Sequence, residues 1–276
     1  MQMFPSTALS NLVRHYLYVE SNTIATKTFR LFPDGNTGIV FSFKNRLISR
    51  VSSCHQGNQL PASFIYGPIN NFKNIGCVDE TSLLIVVFHP YGLHQLLGIP
   101  AHELIDEIIN IEDHFGMAGA EVTERLVEQT SLAHRIKIIE SFLIKVLLVG
   151  VHPVHPLVLA SIELIIKNRG FTNVKQLVHH TGYTDKSIQR RFMEFVGIFP
   201  KQFTKIIKLN QYLKGLRDNK GKTLFNLAYE NGYYDHSHVT KDFKQITGVT
   251  PKQYVREFNA LALNLLEFPK KEDQNI

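Results

Sequence analysis

The rhythm of apolar and polar positions changes partway along this chain. Up to about residue 90, apolar residues come in short runs broken by turn formers. FRLFPDGNTGIVFSF is the clearest case: Pro33-Asp34-Gly35 reads as a turn, Gly38 follows, and Ile39–Phe43 predicts a strand. TSLLIVVFHP, residues 81–90, predicts another strand, ended by Pro90. GLHQLLG, HELIDEII and the stretch from about Gly119 to Val149 predict helices. Within the last, LAHRIKIIESFLIKVLL is apolar around much of its circumference, the pattern of a helix buried in a core or an interface.

VHPVHP, residues 151–156, breaks the pattern with two prolines, and the domain boundary is placed there. From Leu157 on the period is helical throughout. Helices are predicted over 157–168, 173–181, 185–196, 200–218, 223–230, 236–247 and 251–259, with Thr184 and Asp235 positioned as N-caps. The division is therefore 1–150, a linker at 151–156, a helical domain at 157–260, and a C-terminal tail at 261–276. The fold class is α+β in two domains, the second all-α.

The helical domain contains a repeat. GYTDKSIQRRFMEFVGIFPKQF (182–203) aligns with GYYDHSHVTKDFKQITGVTPKQY (232–254) after one inserted residue. Gly182 matches Gly232, Phe192 matches Phe243, Gly197 matches Gly248, Pro200 matches Pro251, and Phe203 matches Tyr254. Each copy follows an amphipathic run, VKQLVHHT or LFNLAYEN, so each spells helix, glycine turn, helix, glycine exit, proline-started helix. A glycine between two short helices permits the positive φ of a sharp helix-turn-helix corner.

In the first copy Ile188 and Phe192 form an inner face, with Phe195 and Val196 nearby. Lys186, Ser187, Gln189 and Arg190 lie opposite. In the second copy Val239, Phe243 and Ile246 face inward, while His236, Ser237, His238, Thr240 and Lys241 point largely outward. Arg can be bidentate to guanine and Gln to adenine, and Ser, Thr, His and Lys can bond bases or phosphates. These nine residues are the candidate DNA-binding set.

Charge sharpens this picture. Residues 151–276 carry 19 Lys and Arg against 11 Asp and Glu, a net +8, whereas residues 1–150 carry 11 against 13, a net −2. A basic half beside a slightly acidic one points to a polyanion-binding module joined to something with another task. Lys201, Lys205 and Lys208, on the helix joining the two copies, add to the basic surface expected there. The hydrophobic content of 44% and charged content of 20% are those of a folded globular protein. No run of about 18 apolar residues occurs, and MQMFPSTALSNLVRHYLYVE lacks a basic start followed by an apolar block. Neither a membrane span nor a signal peptide is expected, and two cysteines, Cys54 and Cys77, are too few for a disulfide framework. The expected location is the cytoplasm.

The chain offers no catalytic constellation: no nucleophile elbow, P-loop or dinucleotide fingerprint. Residues 1–150 contain no His-x-His, so His89 and His94 are read as surface or core histidines, without a metal or other cofactor. His152 and His155 read as an exposed hinge, and His179-His180 as one packed and one solvated. Cys54-His55 lacks a supporting group for thiol chemistry.

Residues 157–258 resemble the DNA-binding domain of the AraC/XylS family of bacterial transcription regulators. The second copy supplies Gly232, Tyr233, Asp235, Ser237, His238, Thr240, Phe243, Lys244, Gly248, Thr250, Pro251 and Tyr254 of the family pattern. It departs from it with Val239 in place of Phe and Lys241 in place of Arg, exchanging a bidentate fork for a point charge. In the first copy Gln189-Arg190-x-Phe192 follows the pattern. The resemblance implies seven helices, with the 200–218 helix joining two helix-turn-helix units that enter successive major-groove segments about 34 Å apart.

Residues 5–115 resemble a sensor domain found ahead of some such regulators, a cupin-like β-barrel followed by helices. The resemblance implies small-molecule binding, dimerisation or both, with double-stranded DNA and RNA polymerase as further partners and no membrane. The barrel interior is expected to be lined by Phe41, Phe43, Ile85, Val87 and similar residues. An alternative on the same residues is a metabolite- or carbohydrate-binding protein whose helical half is an interaction scaffold.

Overall fold

The computed structural model describes residues 1–22, 27–50, 57–150, 152–218, 223–233, 236–257, 259–262 and 264–268. Two antiparallel sheets form the N-terminal half. One has the strand order β1 (Gln2–Met3), β2 (Val13–Ser21), β9 (Thr81–Phe88), β4 (Gly38–Ser42), β7 (Ser63–Tyr66), β10 (Ile108–Asn110). The other runs β11 (Asn259–Ala262), β12 (Leu265–Glu267), β3 (Lys27–Leu31), β8 (Lys73–Cys77), β5 (Ile48–Arg50), β6 (Asn58–Gln59). Phe29 and Cys77 of the second sheet share a core with Val40, Phe64 and Leu83 of the first, so the sheets face each other.

The first sheet is covered on its other face as well. Tyr16, Ile39, Phe41, Ile65, Leu84 and Val86 pack with Val122, Leu126, Ile139 and Leu143 of helices α3 (Met117–Glu128) and α4 (Leu132–Val149). This explains why β4, GIVFS, is buried at every position: a strand covered on both faces loses the in–out alternation. It also corrects the expected lining. Phe41 is in the helix-facing core and Phe43 packs against it, whereas Ile85 and Val87 do point into the space between the sheets.

HELIDEII is not an α-helix. Ala101–Leu104 is a single 3-10 turn, Asp106 takes a positive φ of 61°, and Ile108–Asn110 becomes β10 against β7. GLHQLLG does form α1 (Gly92–Leu97), and α2 (Ile111–Phe115) precedes α3.

Seven helices follow: α5 (Pro156–Lys167), α6 (Val174–Thr181), α7 (Asp185–Phe195), α8 (Pro200–Asp218), α9 (Leu224–Glu230), α10 (His236–Thr247) and α11 (Pro251–Glu257). At 19 residues α8 spans about 28 Å. Its Phe203, Ile206 and Ile207 enter the core of the first unit with Ile188 and Phe192. Leu209, Tyr212, Leu213 and Leu216 enter the core of the second with Val239, Phe243 and Tyr254. One helix thus serves two cores.

The chain then leaves the helical domain. Where the sequence suggests a helix to 259 and a tail from 261, α11 ends at Glu257 and β11–β12 form a hairpin returning to the N-terminal half. β12 pairs with β3, Leu266 opposite Arg30, and the Asn264 amide donates to the Phe32 carbonyl. Leu266 and Phe32, both fully buried, join the core of the second helical unit. The physical cause is the open edge of β3, whose unpaired backbone groups the returning strand satisfies.

Candidate nucleic-acid interface and cavity

Both units use the turn glycine, for different reasons. Gly182 caps α6 at φ 73° with open space around it, so backbone conformation alone requires it. Gly232 has φ 66°, and a Cβ there would also lie 2.0 Å from the Phe171 ring. In the first unit Thr184 is the N-cap, its Oγ1 accepting from the Ser187 amide at 3.3 Å. Asn173 and Gln176 form a reciprocal capping box on α6. The Asp235 cap expected for α10 lies outside the described residues.

On α7, Ile188, Phe192 and Phe195 are buried as expected. Lys186 and Arg190 are exposed, and Ser187 and Gln189 are half-buried. Thr184 Oγ1 donates to Ser187 Oγ at 3.0 Å, and Gln189 Nε2 donates to Asp185 Oδ1 at 2.7 Å. Arg191, by contrast, is bound to Glu194 at 2.7 Å. On α10, Val239, Phe243 and Ile246 are buried, while Ser237, His238 and Lys241 are exposed and Thr240 is half-buried. His238 stands 3.9 Å from Asp242 and edge-on to Tyr233, with ring centroids 5.6 Å apart. The side chain of His236 lies outside the described residues.

Two of the three lysines expected as basic surface on α8 do other work. Lys205 Nζ is 2.8 Å from Asp242 Oδ1 and donates to Gln245 Oε1 at 2.9 Å, tying α8 to α10. Lys208 Nζ donates to the Gly232 carbonyl at 2.7 Å and sits 4.2 Å above the Tyr233 ring. Burial lowers its pKa from the ordinary value. Only Lys201 of the three is exposed.

The histidines resolve separately. His94 is buried, its Nδ1 2.9 Å from the Ile99 carbonyl and its ring against Phe195. His155 caps α5, accepting from the Leu157 amide at 3.2 Å, and His179 and His180 are both exposed, not one of each. Cys54-His55 lies outside the described residues. Among the described residues, no three His, Cys, Asp or Glu side chains converge as metal ligands.

Between the sheets lies a cavity of about 520 Å³. Leu17, Val19, Phe29, Val40, Phe64, Leu83, Ile85 and Val87 give it an apolar wall. Its polar end is built from Arg14, Asp34, Asn36 and, from the helical domain, Asn210, Lys214 and Arg217 of α8. Spaced i, i+4 and i+7, those three share one helix face. The Asp34 carboxylate accepts from the Asn36 backbone and side-chain N–H groups at 3.0 and 2.7 Å, while burial pushes its pKa up. Asn210 Nδ2 donates to the Asp34 carbonyl at 3.1 Å, leaving its buried Oδ1 without a partner among the described residues. His15, also on the wall, is lowered to about 4 by burial and then by Arg14 and His89, so it is neutral at pH 7.

Residues 1–110 match a family described as a domain of unknown function (DUF6597), and residues 177–257 match a family described as a helix-turn-helix domain. No curated protein matches the chain. Among solved structures, ToxT from Vibrio cholerae is similar over 87% of this chain and 97% of its own, at 12% identity and a TM-score of 0.48. Unsaturated fatty acid-bound ToxT from Vibrio cholerae strain SCE256 is similar over 87% and 94%, at 13% identity and 0.46. The C-terminal domain of AraT, a response regulator from Geobacillus stearothermophilus, is similar over 38% and 88%, at 19% identity and 0.36. With two helix-turn-helix units on one joining helix and the family match over residues 177–257, the C-terminal half carries a helix-turn-helix domain.

Proposed function

We propose that α7 and α10 read duplex DNA, with Lys186, Ser187, Gln189 and Arg190 at one half-site and His236, Ser237, His238, Thr240 and Lys241 at the other. The observation that carries this reading is the repeated arrangement itself: two helices, each with its apolar face in a core and its polar face outward. Arg190 is the leading base reader, because its guanidinium is exposed and has no partner among the described residues. Lys241 contributes charge more than base identity, lacking the planar fork. Titration against duplexes selected from random DNA tests this. Specific binding that falls steeply with salt is expected. Weak, sequence-blind binding to every duplex, with candidate effectors present, would instead favour a metabolite binder with a helical scaffold.

The cavity supports control by a small molecule. Its apolar wall fits an apolar body, and Lys214 and Arg217, exposed at its rim with no ion-pair partner among the described residues, suit an anionic head. The effector class proposed is therefore an amphiphilic organic acid. Anilinonaphthalene sulfonate, an apolar anion, is a direct probe: Leu83→Trp should crowd it out, while Lys214→Ala should weaken it. The protein acts on this reading as a regulator and not as a catalyst, in the cytoplasm, with RNA polymerase as its partner at the promoter. Homodimerisation is assigned to the end of α4, where Leu148 and Val149 are 81% and 92% exposed, and sedimentation of Leu148→Glu checks it.

A further inference from the structure

Each recognition helix runs into an exit glycine with a left-handed backbone, Gly197 at φ 79° and Gly248 at φ 75°. Both glycines are pressed against the sensor domain. A Cβ on Gly197 would lie 2.7 Å from Pro68 Cγ and 2.9 Å from the Ala101 carbonyl oxygen. One on Gly248 would lie 2.7 Å from Arg30 Nη1 and 2.7 Å from the Phe72 ring. The repeat in the sequence is thus matched by a repeated seat on the N-terminal half.

The second seat turns on one cation. Arg30 Nη1 donates to the Gly248 carbonyl at 3.1 Å, and its Nε donates to Asn74 Oδ1 at 3.0 Å. The guanidinium lies 4.4 Å from the Phe72 ring centroid and 4.8 Å from that of Phe268. A planar fork bonds two acceptors within its plane and leaves both faces free to pack on rings, a geometry that a tetrahedral ammonium does not reproduce. Arg30 belongs to β3, held between β8 and the returning β12. Its neighbours Phe29 and Leu31 both line the cavity. One short strand therefore touches the cavity on one face and the exit turn of α10 on the other.

We propose that Arg30 is a positioning residue through which the sensor domain sets the second recognition helix relative to the first, so that the spacing of DNA half-sites is specified at this contact as well as by α8. This rests on the reading of α7 and α10 as DNA readers. Successive base pairs advance about 3.4 Å along the duplex, so a shift of α10 by that distance changes the preferred spacing by one base pair. A cavity occupant pressing on Phe29 or Leu31 displaces the strand that carries the latch, and spacing preference becomes the output of the sensor.

The test uses the full chain with Arg30→Met and Arg30→Lys. Half-sites are taken from duplexes that the wild type selects from random DNA, then separated in single-base-pair steps. The wild type should prefer one spacing by roughly tenfold. Arg30→Met should bind neighbouring spacings within about twofold of each other, with affinity for the α7 half-site alone unchanged, and Arg30→Lys should fall between. A spacing profile identical to the wild type in both variants overturns the latch while leaving the DNA reading intact. A wild type that selects no duplex overturns both. If Arg30→Met does not fold, Phe268→Leu, which removes one ring and keeps both hydrogen bonds, must broaden the profile or the proposal fails.

Discussion

Arg190 and Arg191 are neighbours on α7 with different fates. Arg191 is half-buried against Glu194, while Arg190 stands exposed. Arg190→Ala should therefore cost about 1–3 kcal/mol of specific binding and relax preference at one base position. Arg191→Ala should leave base preference intact and cost the fold at most about 1 kcal/mol, the worth of a solvent-screened pair; site selection with each variant separates them. Lys208 shows how a basic residue in a DNA-binding domain can be structural. Lys208→Met should lower stability by about 1–2 kcal/mol through the orphaned Gly232 carbonyl, read by denaturant melts. His15 supplies a pH signature. Its folded pKa lies below the ordinary 6.5, so the unfolded chain binds more protons between 6.5 and about 4. The stability held by neutral His15 is complete above that window and is lost as pH falls through it. His15→Gln should flatten that part of the melting profile relative to the wild type.

At the scale of elements, what could be read from the sequence followed from period and punctuation. The seven C-terminal helices, the cap at Thr184 and the inward faces of α7 and α10 follow from 3.6-residue spacing bounded by Gly and Pro, whereas the capping box at Asn173 was not anticipated. Three features could not be read so. The facing of Phe41 was hidden because a strand buried on both sides carries no alternation. The strand at Ile108–Asn110 was hidden because IDEII fits a helix until β7 offers an edge. The hairpin at 259–267 depends on a partner more than 220 residues away, and no local signal announces β3 as that partner. The charged set was legible by type but not by pairing, since only packing decides that Lys205 meets Asp242. Ending the chain after Phe258 tests the hairpin. Losing the burial of Leu266 alone removes about 1.5–3 kcal/mol, or ~2–4 °C of melting temperature per kcal/mol, and the bared edge of β3 should raise light scattering on heating.

For the whole molecule, the division of charge and the division of labour coincide only in part. The net +8 of residues 151–276 suits that half to a polyanion such as duplex DNA, and the net −2 of residues 1–150 does not. Observed affinity should fall linearly in log–log plots against salt, with a slope of about 0.9 per phosphate contacted. Lys186→Ala should reduce that slope by about one contact without changing site preference, measured by anisotropy across a salt series. The cores divide differently from the charges. Phe32 from the first half and Leu266 from the returning hairpin are fully buried in the core of the second reading unit. Regulators of this plan invite treatment as interchangeable cassettes, a sensor from one joined to a reader from another. Here the cut at the linker would pass beside the seam and leave part of the reader's interior behind on the sensor. A working chimera must carry Phe32 and the strand leading to it along with residues 157–268, so in this protein the unit of inheritance for DNA recognition is discontinuous in sequence.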